Sequence, residues 1–320
     1  MNLENIYETI KNDLEKVDDT LRGVSQVDIL LLSQLLEYLL SNGGKRLRPA
    51  LTLLSGQFYN YNLSLLVPMA AAVELLHNAT LVHDDIVDNA AIRRGKQSIS
   101  HAWGKASALL LGDYLFAKAG RLVASTENLR VVKLFAQTLM TISSGELAQI
   151  NVIFDKKRAR EHYYSWISAK TASLFAMATE SGAALSGAPE DIIQSLKKYG
   201  HNFGMAFQIM DDILDFTGQA DQLGKPVGSD LIEGAVTLPS IIFAETSPEA
   251  DLVKQIIENK DMTKVNLIVD KIRSSSVIDE CLAIASDFCD KAREDLKDLP
   301  DTPARQSLLD LTSYTIKRRK

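Results

Sequence analysis

Two stretches of this 320-residue chain carry the same acidic spacing. LVHDDIVDNAAIRRG, residues 81–95, holds Asp84, Asp85 and Asp88; FQIMDDILDFTG, residues 207–218, holds Asp211, Asp212 and Asp215. At 3.6 residues per turn the first and last aspartate of each set point the same way, with the middle one flanking them. Carboxylates ~5 Å apart repel by roughly 3 kcal/mol per pair at an effective dielectric near 20. Apolar neighbours (Ile86, Val87, Ile213, Leu214) argue against water as the only screen. Hard divalent cations neutralise such clusters, and Mg²⁺ in particular completes its oxygen shell with waters and substrate phosphates. One D-D-x-x-D reads most simply as a solvated helix end. Two copies 127 residues apart point to a shared cause.

Phosphate groups call for cations in nearby loops. GGKRLRP supplies Lys45, Arg46 and Arg48 beside Gly43 and Gly44, where backbone can approach a ligand closely. It lacks the Walker spacing, as does GQADQLGKP. Arg93 and Arg94 follow the first aspartates just past the expected helix end, and Lys170 and Lys225 add two more cations. Glu74 and His77 form an E-x-x-H, the spacing of di-iron bundles. None of the other histidines has a glutamate three residues before it, so that rival is weak and His77 reads as a core histidine or an anion donor. The inventory suits a substrate with phosphorylated heads and an apolar tail.

The elements that must hold these groups are helices. Apolar residues recur at helical spacing in ILLLSQLLEYLL, VVKLFAQTLMTI and CLAIASDFCDKAREDL, and no period-two alternation stands out. No proline occurs between Pro68 and Pro189. Turn residues gather at SNGGKRLRP, NAAIRRGKQS, ALSGAPED, TGQADQLGKPVGSD and ETSPEAD; Asp191 and Ser247–Pro248 mark expected helix starts. The expectation is one all-α domain, residues 1–320, of roughly a dozen helices. The net charge of −6 disfavours a nucleic-acid partner. No apolar run is expected to approach the length needed to span a bilayer, and the N-terminus lacks the apolar core of a signal peptide. Cys281 and Cys289 lie eight apart on one expected helix, too far to bridge, which points to a cytoplasmic setting.

With these motifs in order, the sequence resembles the trans-isoprenyl diphosphate synthases, the polyprenyl synthetase family. GGKRLRP, LVHDDIVDNAAIRRG, KTASLF, GMAFQIMDDILDF and LGKPVGSDL all stand in the family's order, from about residue 34 to 316. The resemblance implies the all-α isoprenoid synthase bundle around a deep cavity. It also implies head-to-tail condensation of isopentenyl diphosphate with an allylic diphosphate by ionisation, condensation and elimination. Asp84, Asp88 and Asp211, supported by Asp85, Asp212 and Asp215, would hold three Mg²⁺. Arg93, Lys170 and Lys225 would clamp the allylic diphosphate; Gly44, Lys45, Arg48, His77 and Arg94 would form the isopentenyl diphosphate pocket. Thr171 and Gln208 match positions beside the developing carbocation, and Gln149 one that supports the first metal cluster.

The resemblance further implies a homodimer and places chain-length control at Ala79, with Thr80 and Leu76 nearby. The small Ala79 favours a hexaprenyl to decaprenyl product. Tyr114, Phe116 or Phe135 closing the tunnel would give geranylgeranyl diphosphate instead. Ala235 stands where relatives commonly carry a lysine. The basic end IKRRK reads either as a solvated tail or as a flap over a diphosphate, and Arg318 and Arg319 are not counted among the site residues. A class I terpene cyclase and the catalytic subunit of a heteromeric synthase are the alternatives; a silent, non-catalytic subunit would be expected to lack an aspartate or arginine that is present here.

Overall fold

The first aspartate helix, Leu63–Val87, is the spine of the protein. Its start is fixed by Asn62, whose side-chain oxygen accepts from the Ser64 backbone N–H at 3.0 Å. Ala70 to Val73, Leu75, Leu76 and Ala79 are fully buried, so the helix is apolar on nearly every side, as a central helix must be. It ends where Asp88 caps it and Asn89 turns left-handed at φ 53°. The computed structural model describes residues 2–41, 44–93, 95–150, 157–218, 227–259 and 262–318.

Among the described residues there are seventeen α-helices, eleven of them ten residues or longer, against the rough dozen expected. The spine packs along Lys105–Ala124. The second aspartate helix, Glu190–Thr217, lies between Ser173–Leu185 and Val277–Asp295, and Ser173–Leu185 also packs on Leu47–Gly56. The second aspartate helix joins two apolar clusters: Phe203 belongs to the core around the spine, and Met205, Ile209, Ile213 and Phe216 belong to a core shared with the C-terminal helices.

Four expectations need correcting. The loop NAAIRRGKQS contains a short antiparallel hairpin, Ile92–Arg93 against Lys96–Gln97, too short for any alternation to show. Asp191 does lie in the first turn of its helix, but Ser247 ends Leu238–Thr246, and the next helix begins only at Asp251. There Ser247 Oγ accepts from Glu249 N at 3.1 Å and organises a turn. The spine itself is long and apolar enough to cross a membrane by length and composition, yet 67% of its most apolar window is buried inside the fold. Both cysteines are buried and free.

The fourth correction concerns the GGKRLRP loop, whose three cations do not act together. Arg46 takes a left-handed conformation (φ 48°) at the start of Leu47–Gly56 and points into the fold. Its Nε donates to Asp18 Oδ1 and its Nη1 to Glu74 Oε1, both at 2.8 Å. The same pair occupies the glutamate of the E-x-x-H. Removing one partner of a buried ion pair strands the other charge. Arg46→Ala is therefore expected to destabilise the protein by about 3–5 kcal/mol, seen as a lower urea midpoint with unchanged slope.

Candidate active site

Both aspartate sets lie at the C-terminal ends of their helices, where the helix dipole is negative and carboxylates are least welcome. Cations answer this at each end. Lys170 Nζ reaches Asp84 Oδ2 at 3.3 Å, and Arg93 Nε donates to Asp85 Oδ1 at 2.5 Å. The hairpin aims Arg93, pairing it with Lys96 across the two strands. Burial raises the pKa of Asp84, Asp85 and Asp88; Lys170 opposes this for Asp84 and Asp88, and Arg93 opposes it for Asp85. Helical spacing sets His77, Thr80, Asp84 and Asp88 on one face, while Asp85 falls with Asn78 and Val82, all three lining a cleft beside Arg93.

The second cluster divides differently. Asp211 is partly exposed and pairs with Arg318. Asp212 is buried, accepting from Tyr163 OH at 2.5 Å and from Gln208 Nε2 at 2.9 Å. Burial, reinforced by Asp230 and Asp215, pushes its pKa up to about 8. Asp215, also buried, accepts from Ser229 Oγ at 3.0 Å and from the Asp230 backbone N–H, which ties down the short helix Ser229–Glu233. Arg273 completes the helix end, donating to the carbonyls of Phe216 and Gly218.

A π-helical turn, Ser168–Ala172, connects the two clusters. Lys170 on this turn reaches Asp84, and the next residue, Thr171, donates from Oγ1 to Gln208 Oε1 at 2.7 Å. Gln208 in turn donates to Asp212. The two D-D-x-x-D helices are thus spanned by adjacent side chains of one turn. The turn sits hard against Gly204 of the second aspartate helix, where an added Cβ would lie 2.7 Å from Ala172 Cα.

The remaining expected residues scatter around this bridge. Arg48 stacks its guanidinium 4.4 Å from the Phe175 ring centre, and Lys45 lies 5.9 Å from that of Tyr314. Burial, with Arg318 nearby, lowers the Lys45 pKa. Gly44 is exposed, and His77 and Gln149 are half-buried. Ala79 and Leu76 are fully buried; Thr80 is half-buried and donates from Oγ1 to the His77 carbonyl. Phe135 is buried, Tyr114 and Phe116 are half-buried, and the Phe116 ring packs edge-on against His83. Ala235 is half-buried, its N–H donating to the Asp230 carbonyl. Arg94, Lys225 and Arg319 lie outside the described residues.

Sequence reasoning left three participants out of the site. Arg318 is 8% exposed, lies over the Phe207 ring at 4.4 Å and pairs with Asp211, so among the readings of the basic end a solvated residue is not what is found. Burial pulls its pKa down to about 10. Tyr163 and Glu146 belong to no motif. Among the described residues no three carboxylate, histidine or cysteine side chains converge into a closed ligand cage. Hard carboxylate oxygens at two negative helix ends, desolvated and facing cations, still fit Mg²⁺, which uses one or two carboxylates and leaves positions for phosphate.

Such a bundle, with two acidic helix ends joined through one cationic turn, defines an isoprenoid-synthase type of enzyme. Residues 30–273 match the family model described as Polyprenyl synthetase. The chain is 37% identical to the heptaprenyl diphosphate synthase component 2 of Geobacillus stearothermophilus over 99% of both chains. It is 33% identical to the octaprenyl diphosphate synthase of Escherichia coli (strain K12), again over 99% of each. A polyprenyl synthase from Caulobacter crescentus CB15, solved with calcium and isoprenyl diphosphate, superposes with a TM-score of 0.94 at 33% identity, covering 100% of this chain and 98% of that one. The chain belongs to the polyprenyl synthetase family. It is a trans-prenyltransferase with the all-α fold of that family.

The close approach at Gly204 yields a test of the bridge. Gly204→Ala would push the π turn away from the second aspartate helix. A loss of about 1–3 kcal/mol in urea unfolding is expected, with condensation activity falling at least tenfold because Lys170 and Thr171 move together.

Proposed function

We propose that this enzyme extends an allylic diphosphate with isopentenyl diphosphate to an all-trans polyprenyl diphosphate of six to ten isoprene units, working as one domain over residues 1–320 in the cytoplasm. The observation that carries the reading is the pair Lys170–Thr171, one side chain reaching each aspartate helix. Asp84, Asp88 and Asp211 would hold three Mg²⁺, with Asp84 and Asp211 turning to the metal from their present partners Lys170 and Arg318. Asp85, Asp212 and Asp215 are engaged by Arg93, Tyr163 with Gln208, and Ser229, and so fix the helix ends. Bound magnesium supplies positive charge against the departing diphosphate.

Lys170, with Arg93 and Lys225, adds cationic donors to the same group, a stabilisation that grows as charge develops on it. Thr171 and Gln208 orient hydroxyl and amide oxygens toward the carbocation. Lys45, Arg48, His77, Arg94 and the backbone at Gly44 hold isopentenyl diphosphate, so the new bond forms between pre-positioned carbons. No protein nucleophile is needed. The proton lost after condensation goes to the diphosphate.

Small, buried Ala79 leaves no aromatic plug below the first aspartates, which supports a long product. Two similar relatives bear the names of seven- and eight-unit synthases. The relative named as a component 2 also supports a second reading, in which this chain is the catalytic partner in a heteromer. A homodimer is the first reading. Leu109 and Leu110 on Lys105–Ala124, with Met140 and Leu147 on Leu129–Ile150, are large apolar side chains at least half exposed and suit burial against a second copy.

The test is product sizing with labelled isopentenyl diphosphate, Mg²⁺ and farnesyl or geranylgeranyl diphosphate. The expected ladder ends at six to ten units, and Ala79→Phe should shorten it. A stop at four units in the wild type would move the floor to another helix; cyclic hydrocarbons would favour the cyclase. Sedimentation at micromolar concentration is expected to give a dimer. A monomer inactive until a second chain is added would favour the heteromer.

A further inference from the structure

Glu146 lies on Leu129–Ile150, outside every motif, yet it holds the central cation of the site. Its Oε2 accepts from Lys170 Nζ at 3.1 Å and its Oε1 from Trp166 Nε1 at 3.1 Å. Trp166 in turn sets its ring 5.6 Å from Lys170 Nζ, within range of a cation–π contact. One carboxylate therefore binds both the cation and the indole that flanks it. The backbone enforces this: at Gly145 an added Cβ would lie 2.6 Å from Ala169 Cβ, so only glycine lets this helix press against the π turn beside Lys170.

We propose that Glu146 is a positioning residue for the allylic diphosphate site, anchoring Lys170 so that its ammonium stays aimed at the ground between Asp84 and the leaving diphosphate. A lysine is a flexible point charge on a four-carbon stem. Asp84 alone would not hold it there once that carboxylate turns to another cation. Glu146 supplies a second, charge-assisted hydrogen bond that survives such a change. Trp166 orients the carboxylate in the way outer partners orient the ligands of a metal. This inference rests on the prenyl-transfer reading.

The two possible roles of Glu146 have opposite signs. A bystander carboxylate repels diphosphate, so neutralising it would tighten binding; an anchor holds the lysine, so neutralising it loosens binding. The experiment compares the full chain with Glu146→Gln, Lys170→Ala and the double variant. Binding of inorganic diphosphate with Mg²⁺ is read by calorimetry, and kcat/KM with farnesyl diphosphate by product formation. Circular dichroism confirms that each variant is folded, and Trp166→Phe, which removes the other donor to Glu146, serves as the second probe.

Glu146→Gln is expected to weaken diphosphate binding about tenfold and lower kcat/KM for the allylic substrate 10- to 100-fold, with KM for isopentenyl diphosphate changed less than twofold. In the Lys170→Ala background it should add less than a further twofold, because a residue acting through Lys170 has nothing left to position. Trp166→Phe should lower allylic kcat/KM in the same direction. Unchanged or tighter diphosphate binding in Glu146→Gln, or losses that multiply in the double variant, would overturn the proposal while leaving prenyl transfer intact. A wild-type chain that condenses no primer would overturn the prenyl-transfer reading and this inference with it.

Discussion

Carboxylates at the negative ends of two helices are the constraint from which the rest of the site follows. Each end accumulates repulsion from like charges, from the dipole and from burial, all of which favour the protonated acid. The chain answers with Lys170, Arg93, Arg318 and Arg273, each delivered from a different element: a π turn, a hairpin, the C-terminal helix and Met262–Arg273. A site built this way suits cations at its floor and an anion above them. On the proposed reading, affinity for diphosphate follows from how the acidic ends are balanced.

The balance differs between the helices. At the first, Asp84 and Asp88 share the side that faces Lys170, and Asp85 is drawn off by Arg93. At the second, Asp212 and Asp215 are consumed by hydrogen bonds within the fold and Asp211 is left outward. Identical motifs therefore do unequal work. The asymmetry arises because the first helix ends at a hairpin, while the second stays packed against helices to its end, with Tyr163 and Ser229 on its inner side.

Close packing makes the bridge possible. Between Gly145 and Gly204 the π turn is clasped so tightly that a methyl group on either glycine would collide with it. A turn with wider hydrogen bonding, held on both sides, projects Lys170 and Thr171 to opposite helices, which a regular helix spacing of one residue would also splay apart by 100°. Arg46 shows the complementary case: a loop cation that by position looks functional is spent on Asp18 and Glu74 and secures the spine instead.

The helical class, the two helix ends, the aspartate faces and the cationic loops were legible in the sequence, because helical periodicity and paired motifs are local properties. The hairpin was too short to leave a pattern, and the turn at Ser247 looked like a helix start because serine followed by proline serves both. Glu146, Tyr163 and the seating of Arg318 were invisible for a different reason. Each gains its meaning only from a partner 24, 49 or 107 residues away. The sequence by itself determined which charges the protein carries and which helix faces present them. Tertiary structure alone decided which cation meets which carboxylate, since that depends on distances between elements that no local spacing encodes.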